Sequence, residues 1–285
     1  MNTAAPHRSF AQPAKFLQTN SDLGGTKALQ LRPFGYCEED LAIDFKNTPR
    51  PSLETQIITC CATDKAGNKL SEDFIWRLDV GKRIECLFAI TVLDMPSEQL
   101  DVDLRCQNSD CSEELEVGFS FQDIQGFLDQ IETGETVKID LGDKWLALRK
   151  PTGFDQLNWL SESYTDEFTA TRTMINSLVA EGEQIRIDQP VNTNWLETVD
   201  RAMTELDPLV NFHLTINCPV CGQQYDYDID FGEICLRQLS AAQTRLIEKV
   251  HSLAFHYHWN EREIFALPPW RLQRYLNLIE RELAR

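Results

Sequence analysis

The sequence predicts an α+β protein with two paired β-hairpins, an α-rich insertion between them, and amphipathic helices toward the C-terminal end. Three observations carry that prediction. Leu100, Val102 and Leu104 alternate into Cys106, and Leu115, Val117, Phe119 and Phe121 alternate out of Cys111, the period of half-buried strands. Phe212, Leu214 and Ile216 likewise alternate into Cys218, and Tyr225, Tyr227, Ile229 and Phe231 out of Cys221. The two blocks share one register: apolar residues lie two, four and six positions before the first cysteine, and four, six, eight and ten after the second. A one-residue slip would turn the whole apolar set outward, so agreement at seven positions marks an internal pseudo-repeat.

Residues 1–35 carry scattered Ser, Thr, Asn, Pro and Gly without a sustained period, including Gly24-Gly25 and Arg32-Pro33-Phe34-Gly35, and are expected to form a flexible arm. Residues 36–98 form an α/β segment, in which Leu41 to Phe45 alternates like a short strand before Pro49 and Pro51 interrupt it. Ser71-Glu72-Asp73 ahead of Phe74, Ile75, Trp76 and Leu78 is a helix start with acids in its first turn. The apolar run from Gly81 to Leu93 fits a helix or a buried strand equally well. The hairpins occupy 99–121 and 209–234 and enclose an insertion over 122–208. There, Val137, Ile139 and Leu141, then Gly142-Asp143, then Trp145 to Leu148 predict a further hairpin. Three-to-four spacing predicts helices from Phe154 to Leu160, Phe168 to Val179 and Asn194 to Leu206, with Gly182 and Pro208 as stops. Over 235–285, Leu236, Leu239, Leu246, Val250, Leu253 and Tyr257 make one stripe that ends near Trp259. Asn260 to Glu263 has capping-box spacing, Pro268-Pro269 stops the short helix that follows, and a last helix begins near Trp270 with Tyr275, Leu276, Ile279 and Leu283 inward.

Composition narrows the function. With 42% hydrophobic and 25% charged residues among 285, the chain is globular and large enough for a real core. Its 27 Lys and Arg against 45 Asp and Glu give a net charge of −18, which repels phosphate backbones and anionic lipid. The opening Met1 to Arg8 leads into no apolar signal-type run. The longest apolar run, Ile84 to Leu93, is too short for a bilayer, so a soluble cytoplasmic chain is expected. Nine cysteines, an odd number in a chain with a core, favour thiols plus metal ligands over a closed disulfide framework.

Cys218-Pro-Val-Cys221-Gly222 is a knuckle in which two thiolates three positions apart grip one ion on a tight turn, with Gly222 relieving the backbone. Its partner, Cys106-Gln-Asn-Ser-Asp-Cys111, has a four-residue spacer at the long end of ordinary ligand spacing. Cys106, Cys111, Cys218 and Cys221 together supply four thiolates on two hairpin tips, so the paired hairpins are expected to be zinc-ribbon-like and to hold one structural Zn2+. Four cysteines close the coordination sphere, which leaves no open position for catalysis. The alternatives are plain reduced thiols, a relic site, or redox sensing.

Other features read blandly. Asp226, Asp228 and Asp230 lack the Gly and Glu of a calcium loop, with Phe231 and Arg237 at those places, and read as a solvated strand face. His256 and His258, two residues apart, suit capping or partial burial. Cys60, Cys61 and Cys235 suit apolar positions. No glycine-rich phosphate loop, Gly-x-Ser-x-Gly elbow or His-Glu-x-x-His helix is present, so nothing argues for an enzyme. Residues 245–285 carry seven basic and five acidic side chains, a net +2 on an otherwise acidic chain that suits an acidic partner or the chain's own body.

Four stretches carry a resemblance: Trp76-Arg-Leu-Asp-Val80-Gly-Lys-Arg83, Leu148-Arg-Lys-Pro-Thr-Gly-Phe-Asp155, Asp207-Pro-Leu through Cys218-Pro-Val-Cys221-Gly222, and His251 through Leu267 with the Tyr275-Leu276 helix beyond it. Over roughly residues 70 to 283 the chain resembles the baseplate hub or hub-assembly proteins of contractile phage tails and of related phage-tail-like injection systems. Members of that family often carry Cys-x-x-Cys at both knuckles, so the longer Cys106 to Cys111 spacer is a departure. The resemblance implies a non-catalytic part in building a baseplate and central hub in the cytoplasm of a bacterial host, whether or not the chain stays in the finished particle. The implied partners are other baseplate or hub proteins, with no nucleic acid, membrane or small-molecule substrate. Trp259, Trp270 and Tyr275 are the aromatics expected to anchor that contact. A zinc-ribbon adaptor in transcription or nucleic-acid handling is the competing reading. It is disfavoured by Asp110, Glu113, Glu114, Asp226 and Asp228 around the knuckles.

Overall fold

The computed structural model describes residues 15–21, 25–95, 97–129, 134–140, 145–182 and 193–284. The N-terminal part contains β1 (Lys15–Ser21), β2 (Gly25–Leu31), a 3-10 turn (Glu38–Ala42), α1 (Arg50–Cys61), β3 (Ala62–Thr63), α2 (Glu72–Arg77) and α3 (Val80–Val92). The first hairpin is β4 (Gln99–Arg105) and β5 (Glu114–Ser120), followed by α4 (Phe121–Asp129). The insertion holds β6 (Thr136–Asp140), β7 (Trp145–Arg149), α5 (Gly153–Ser161), α6 (Glu167–Leu178), β8 (Val179–Gly182) and α7 (Thr193–Leu206). The second hairpin is β9 (Phe212–Asn217) and β10 (Gln224–Ile229), and α8 (Phe231–Tyr257), α9 (Glu261–Phe265) and α10 (Pro269–Leu283) complete the described chain. The result is a mixed α+β fold of small antiparallel sheets, with β1-β2-β3 and β6-β7-β8 three-stranded and the two cysteine hairpins two-stranded.

Helix α3 settles the ambiguity of the Gly81 to Leu93 run. Asp79 starts it by accepting the Lys82 N–H at 2.7 Å. Every residue from Val80 to Val92 except Lys82 is buried, because α1, α4, α8 and the strands β2 and β4 surround the helix. A helix covered on all sides has no polar face, which is why its period is unreadable in the sequence. The main core around it includes Leu87, Phe88, Ile90, Ile57, Ile75, Phe231 and Leu239. The insertion has a separate core of Ile139, Leu146, Leu148, Ile175, Leu178 and Val199. The C-terminal helices have a third, with Leu246, Val250, Leu253, Ile264, Leu272 and Ile279.

The expected flexible arm is corrected over its described C-terminal part. Strand β2 pairs with β1 and β3, and Leu29, Leu31 and Phe34 are fully buried. The polar residues among them misled the reading. Arg32 is neutralised by both carboxylate oxygens of Asp40, at 2.7 and 3.0 Å. Residues 1–14, with the Met1 to Arg8 opening, and Gly24 lie outside the described residues. Leu41 to Phe45 is not a strand either. Asp40 also accepts the backbone N–H groups of Gly35, Tyr36 and Cys37, winding the chain into the 3-10 turn. Gly35 is required there: its φ is +90°, and a Cβ would stand 3.1 Å from Ala242 of α8.

The Ser71 helix start, the hairpin of β6 with β7, and the helices of the insertion form at the expected places, although the Leu141, Gly142 and Asp143 turn lies outside the described residues. Strand β8 is an unexpected addition that pairs antiparallel with β7. In α10, Leu272 and Ile279 face the core, whereas Leu283 is 74% exposed and not inward.

Arg83 and Glu54 carry charge into the main core. Arg83 is fully buried and donates to Pro51 O at 2.6 Å, Thr55 Oγ1 at 2.9 Å and Ile75 O at 3.2 Å, with Glu54 Oε2 at 3.4 Å. Glu54 in turn accepts from Arg50 at 3.0 Å, and Arg50 forms a two-pronged pair with Asp230, which caps α8. The network fastens α1, α3 and α8 to one another. Truncation by Arg83→Ala strands buried acceptors and the Glu54 carboxylate, so urea unfolding is expected to show a loss of about 3–5 kcal/mol. A loss below about 1 kcal/mol would remove the network from the stability account.

Candidate metal centre

The hairpin registers set the cysteines. In the first, Leu104 faces Leu115 and Arg105 faces Glu114, and in the second, Ile216 faces Tyr225 and Asn217 faces Gln224. Each knuckle closes on the same turn. Gly222, at φ +70°, donates its N–H to Cys218 O at 2.8 Å; Ser112, at φ +50°, donates to Asn108 O at 2.9 Å. The residue after the second cysteine is left-handed in both. The two additional residues of the longer spacer therefore fall before the turn, where Asn108 takes the backbone role of Cys218. Asn108 reinforces it by accepting the Asp110 N–H on its side chain at 3.0 Å.

The tips meet. The Sγ atoms of Cys106, Cys111, Cys218 and Cys221 all lie within 4.8 Å of one another. The closest pairs cross between hairpins, Cys106 to Cys221 at 3.7 Å and Cys111 to Cys218 at 3.8 Å. Four sulfurs arranged tetrahedrally about 2.3 Å from one ion stand about 3.8 Å apart, whereas a disulfide needs about 2.05 Å. The spacing fits a metal and not a bond. Leu104, Leu115, Ile216, Tyr225 and Tyr227 pack beneath the cluster. Two further cross-hairpin bonds hold it, Tyr227 Oη to Arg105 O and Gln107 Nε2 to Asp226 O, both at 3.1 Å. The backbone N–H of Cys221 leads in drawing the Cys218 thiol down to about 7, while burial pushes Cys106 up to about 12. Metal binding takes cysteines as thiolates, so a bound cation would favour the deprotonated form of the cluster. The donor set is a four-cysteine cluster compatible with a structural metal.

The other singled-out residues sit as follows. Asp226 accepts from Thr215, Asp228 pairs with His213 and Asp230 caps α8, so each of the three aspartates has a local partner. His258 is the left-handed C-cap of α8, and His256 Nδ1 lies 2.9 Å from Ser252 O. Cys61 and Cys235 are buried and Cys60 half-buried, and burial raises all three thiols. Trp259 stacks on Tyr257 and meets Tyr275 edge-on, the three rings forming one cluster with centroids 4.7 to 5.0 Å apart against the C-terminal core. Trp270, by contrast, is 67% exposed.

Three of the resembling stretches converge at a junction between body and insertion. Val80 N donates to Pro151 O, Gly153 N to Leu78 O and Gly81 N to the Asp207 carboxylate, at 2.9, 3.2 and 3.0 Å, and Trp76 stacks on Phe154. They border a cleft of about 830 Å3 lined in part by Asp79, Lys82, Lys150 and Asp207. Sequence reasoning assigned Asp207 no role of its own, although it opens one of the resembling stretches and stands between a helical pattern and Pro208. Burial, with Asp79 close by, pushes Asp207 up to about 7. Comparison with protein-family models, curated proteins and solved structures returns no match for this chain. Among the described residues, no helix is long and apolar enough to cross a membrane.

Removing one ligand by Cys218→Ser is expected to release the metal and to lower the melting temperature by about 10 °C or more, an effect matched by chelator on the parent protein. Identical melting curves with and without chelator would exclude a structural ion. For Asp207, the folded chain keeps a proton that the unfolded chain sheds near pH 4, so its contribution to stability falls as pH rises from about 4 to about 7 and is flat above. Asp207→Asn, which keeps an acceptor for Gly81, is therefore expected to raise the melting temperature by several degrees at pH 8 and hardly at all at pH 4.5. Equal effects at both pH values would show that Asp207 is ionised throughout.

Proposed function

We propose that this chain is a non-catalytic component, or assembly chaperone, of the baseplate and central hub of a contractile tail or contractile injection system, and that it grips one Zn2+ through Cys106, Cys111, Cys218 and Cys221. The observation that carries the reading is how the resembling stretches assemble. Three of them meet at the junction of Asp79, Pro151 and Asp207, and the fourth folds into the C-terminal helical unit that presents Trp270. The arrangement supports a scaffold: a body tied by a metal clip and a helical unit, with its own core, holding an aromatic residue and arginines outward. Zinc suits the donor set because four thiolates in a tetrahedron favour zinc or iron, and a colourless protein separates the two. The outward-facing acids Asp101, Asp103, Glu114 and Glu116 oppose a nucleic-acid role.

The test is affinity purification of the tagged full chain from its bacterial host during particle assembly, with mass spectrometry and elemental analysis. One zinc per chain is expected, together with enriched baseplate or hub proteins. Trp270→Ala is expected to deplete those proteins about tenfold or more while zinc stays bound. Retained zinc with no baseplate protein would overturn the proposed role, and loss of zinc in the Trp270 variant would overturn its assignment as a docking residue.

A further inference from the structure

The two cysteine hairpins share a pattern but treat charge differently on their outer faces. In the second, the rung of Thr215 and Asp226 is a hydrogen bond of 2.6 Å, and on the next rung His213 lies 2.6 Å from Asp228. At the corresponding rung of the first hairpin, Asp103 stands directly opposite Glu116, both exposed. Like charges facing across a strand pair cost stability. The nearest base, Arg105, reaches Glu114 instead, at 3.7 Å. With Asp101 two residues along the strand, this face carries three acids within about 7 Å of strand.

Helix α10 is the converse. Its inner side, with Leu272, Tyr275, Leu276 and Ile279, packs in the C-terminal core against α8. Its outer side exposes Trp270, Arg274, Leu278 and Arg281. The two arginines lie seven positions apart, about 10 Å along the helix, a spacing that long arginine side chains bring onto Asp101 and the rung of Asp103 and Glu116. The faces belong to distant parts of one chain. The hairpins stem from the start of α8 at Phe231, whereas α10 packs from Leu246 onward, about 22 Å farther along the axis.

We propose that the outer face of α10 docks on the acidic outer face of the β4–β5 hairpin of a second copy of this chain. The contact is head-to-tail: each copy keeps one free face of each kind, so copies add in a row or close into a ring. Trp270 and Leu278 supply the apolar part of the contact, one of Arg274 and Arg281 meets the rung of Asp103 and Glu116, and the other meets Asp101. A net charge of −18 repels copies from one another, so only local complementarity of this kind holds them together. This face carries Trp270, the residue proposed to dock hub proteins, so the two contacts compete for it; ultracentrifugation of the chain alone tests the self-contact without the tail-assembly role.

The experiment is analytical ultracentrifugation of the purified, zinc-loaded full chain across a range of concentrations. The parent protein is expected to exceed its monomer mass of 32.8 kDa as concentration rises. Arg274→Glu with Arg281→Glu, and separately Asp103→Lys with Glu116→Lys, are each expected to weaken association at least about 30-fold. Mixing the two reversed proteins is expected to restore it, because each then offers the face the other needs. Arg237→Glu with Arg262→Glu, the same net change as the arginine pair elsewhere on the surface, is expected to leave association intact. A parent protein that stays at 32.8 kDa at every concentration overturns the proposal, as does failure of the mixed variants to associate.

Discussion

The body of this protein depends on the burial of helix α3. A helix covered on every side must have its free N-terminal amides satisfied by protein. Asp79 takes the Lys82 amide and Asp207, from the far end of the insertion, takes that of Gly81. The approach is so close that a Cβ on Gly81 would lie 1.9 Å from the Asp207 carboxylate, so glycine is required at that place. The same helix carries Arg83 into the core, and the guanidinium needs α1 on one side and the Trp76 ring on the other. Gly153 is the counterpart in the insertion: a Cβ there would stand 2.6 Å from the Arg83 guanidinium. The insertion is thus keyed to the body at two backbone positions where no side chain fits.

That keying explains how a four-cysteine clip can be split across the chain. Closing a loop between the first and second hairpins costs entropy that grows only slowly with its length. The intervening segment folds on its own core and is pinned at its exit by Asp207 and at its entry by α4 against α3. The hairpins are consequently held at both ends. Their tips meet at the sulfurs, and their bases meet in a ring cluster, with Phe231 lying 5.0 Å from Phe119 and 4.9 Å from Phe212. A four-cysteine cluster at one end and interlocked phenylalanines at the other fix the relative orientation of two sheets too small to be stable alone.

What the sequence disclosed follows from the same physics. The hairpins and the four cysteines were legible because each strand has one face toward its partner hairpin and one toward water, so the period of two survives, and it occurs twice in one register. Helix α3 was illegible in type because complete burial erases periodicity. The buried stretch from Leu29 to Phe34 was missed because Arg32 within it looks like a surface residue until Asp40 is seen beside it, a pairing eight positions away that composition does not reveal. Strand β8, four residues long, has too few positions to show a period at all. Trp259, Trp270 and Tyr275 looked alike as aromatics near helix ends; only packing separates the internal pair from the exposed Trp270.

The repeat also explains why the C-terminal end is built as it is. Phe121 and Phe231 hold equivalent places, and each is the first residue of a helix that leaves the base of its hairpin. The described part of α4 runs nine residues, whereas α8 runs 27, about 40 Å. Its first half, through Cys235, Leu236, Leu239 and Ala242, belongs to the main core; its second half, from Leu246, belongs to the core it shares with α9 and α10. One copy of the unit therefore stays within the body, and the other extends beyond it. A rigid helix seated by the Arg50 and Asp230 pair transmits the position of the cysteine hairpins to the face that carries Trp270, so the orientation of that face is set by the body and not by a loop.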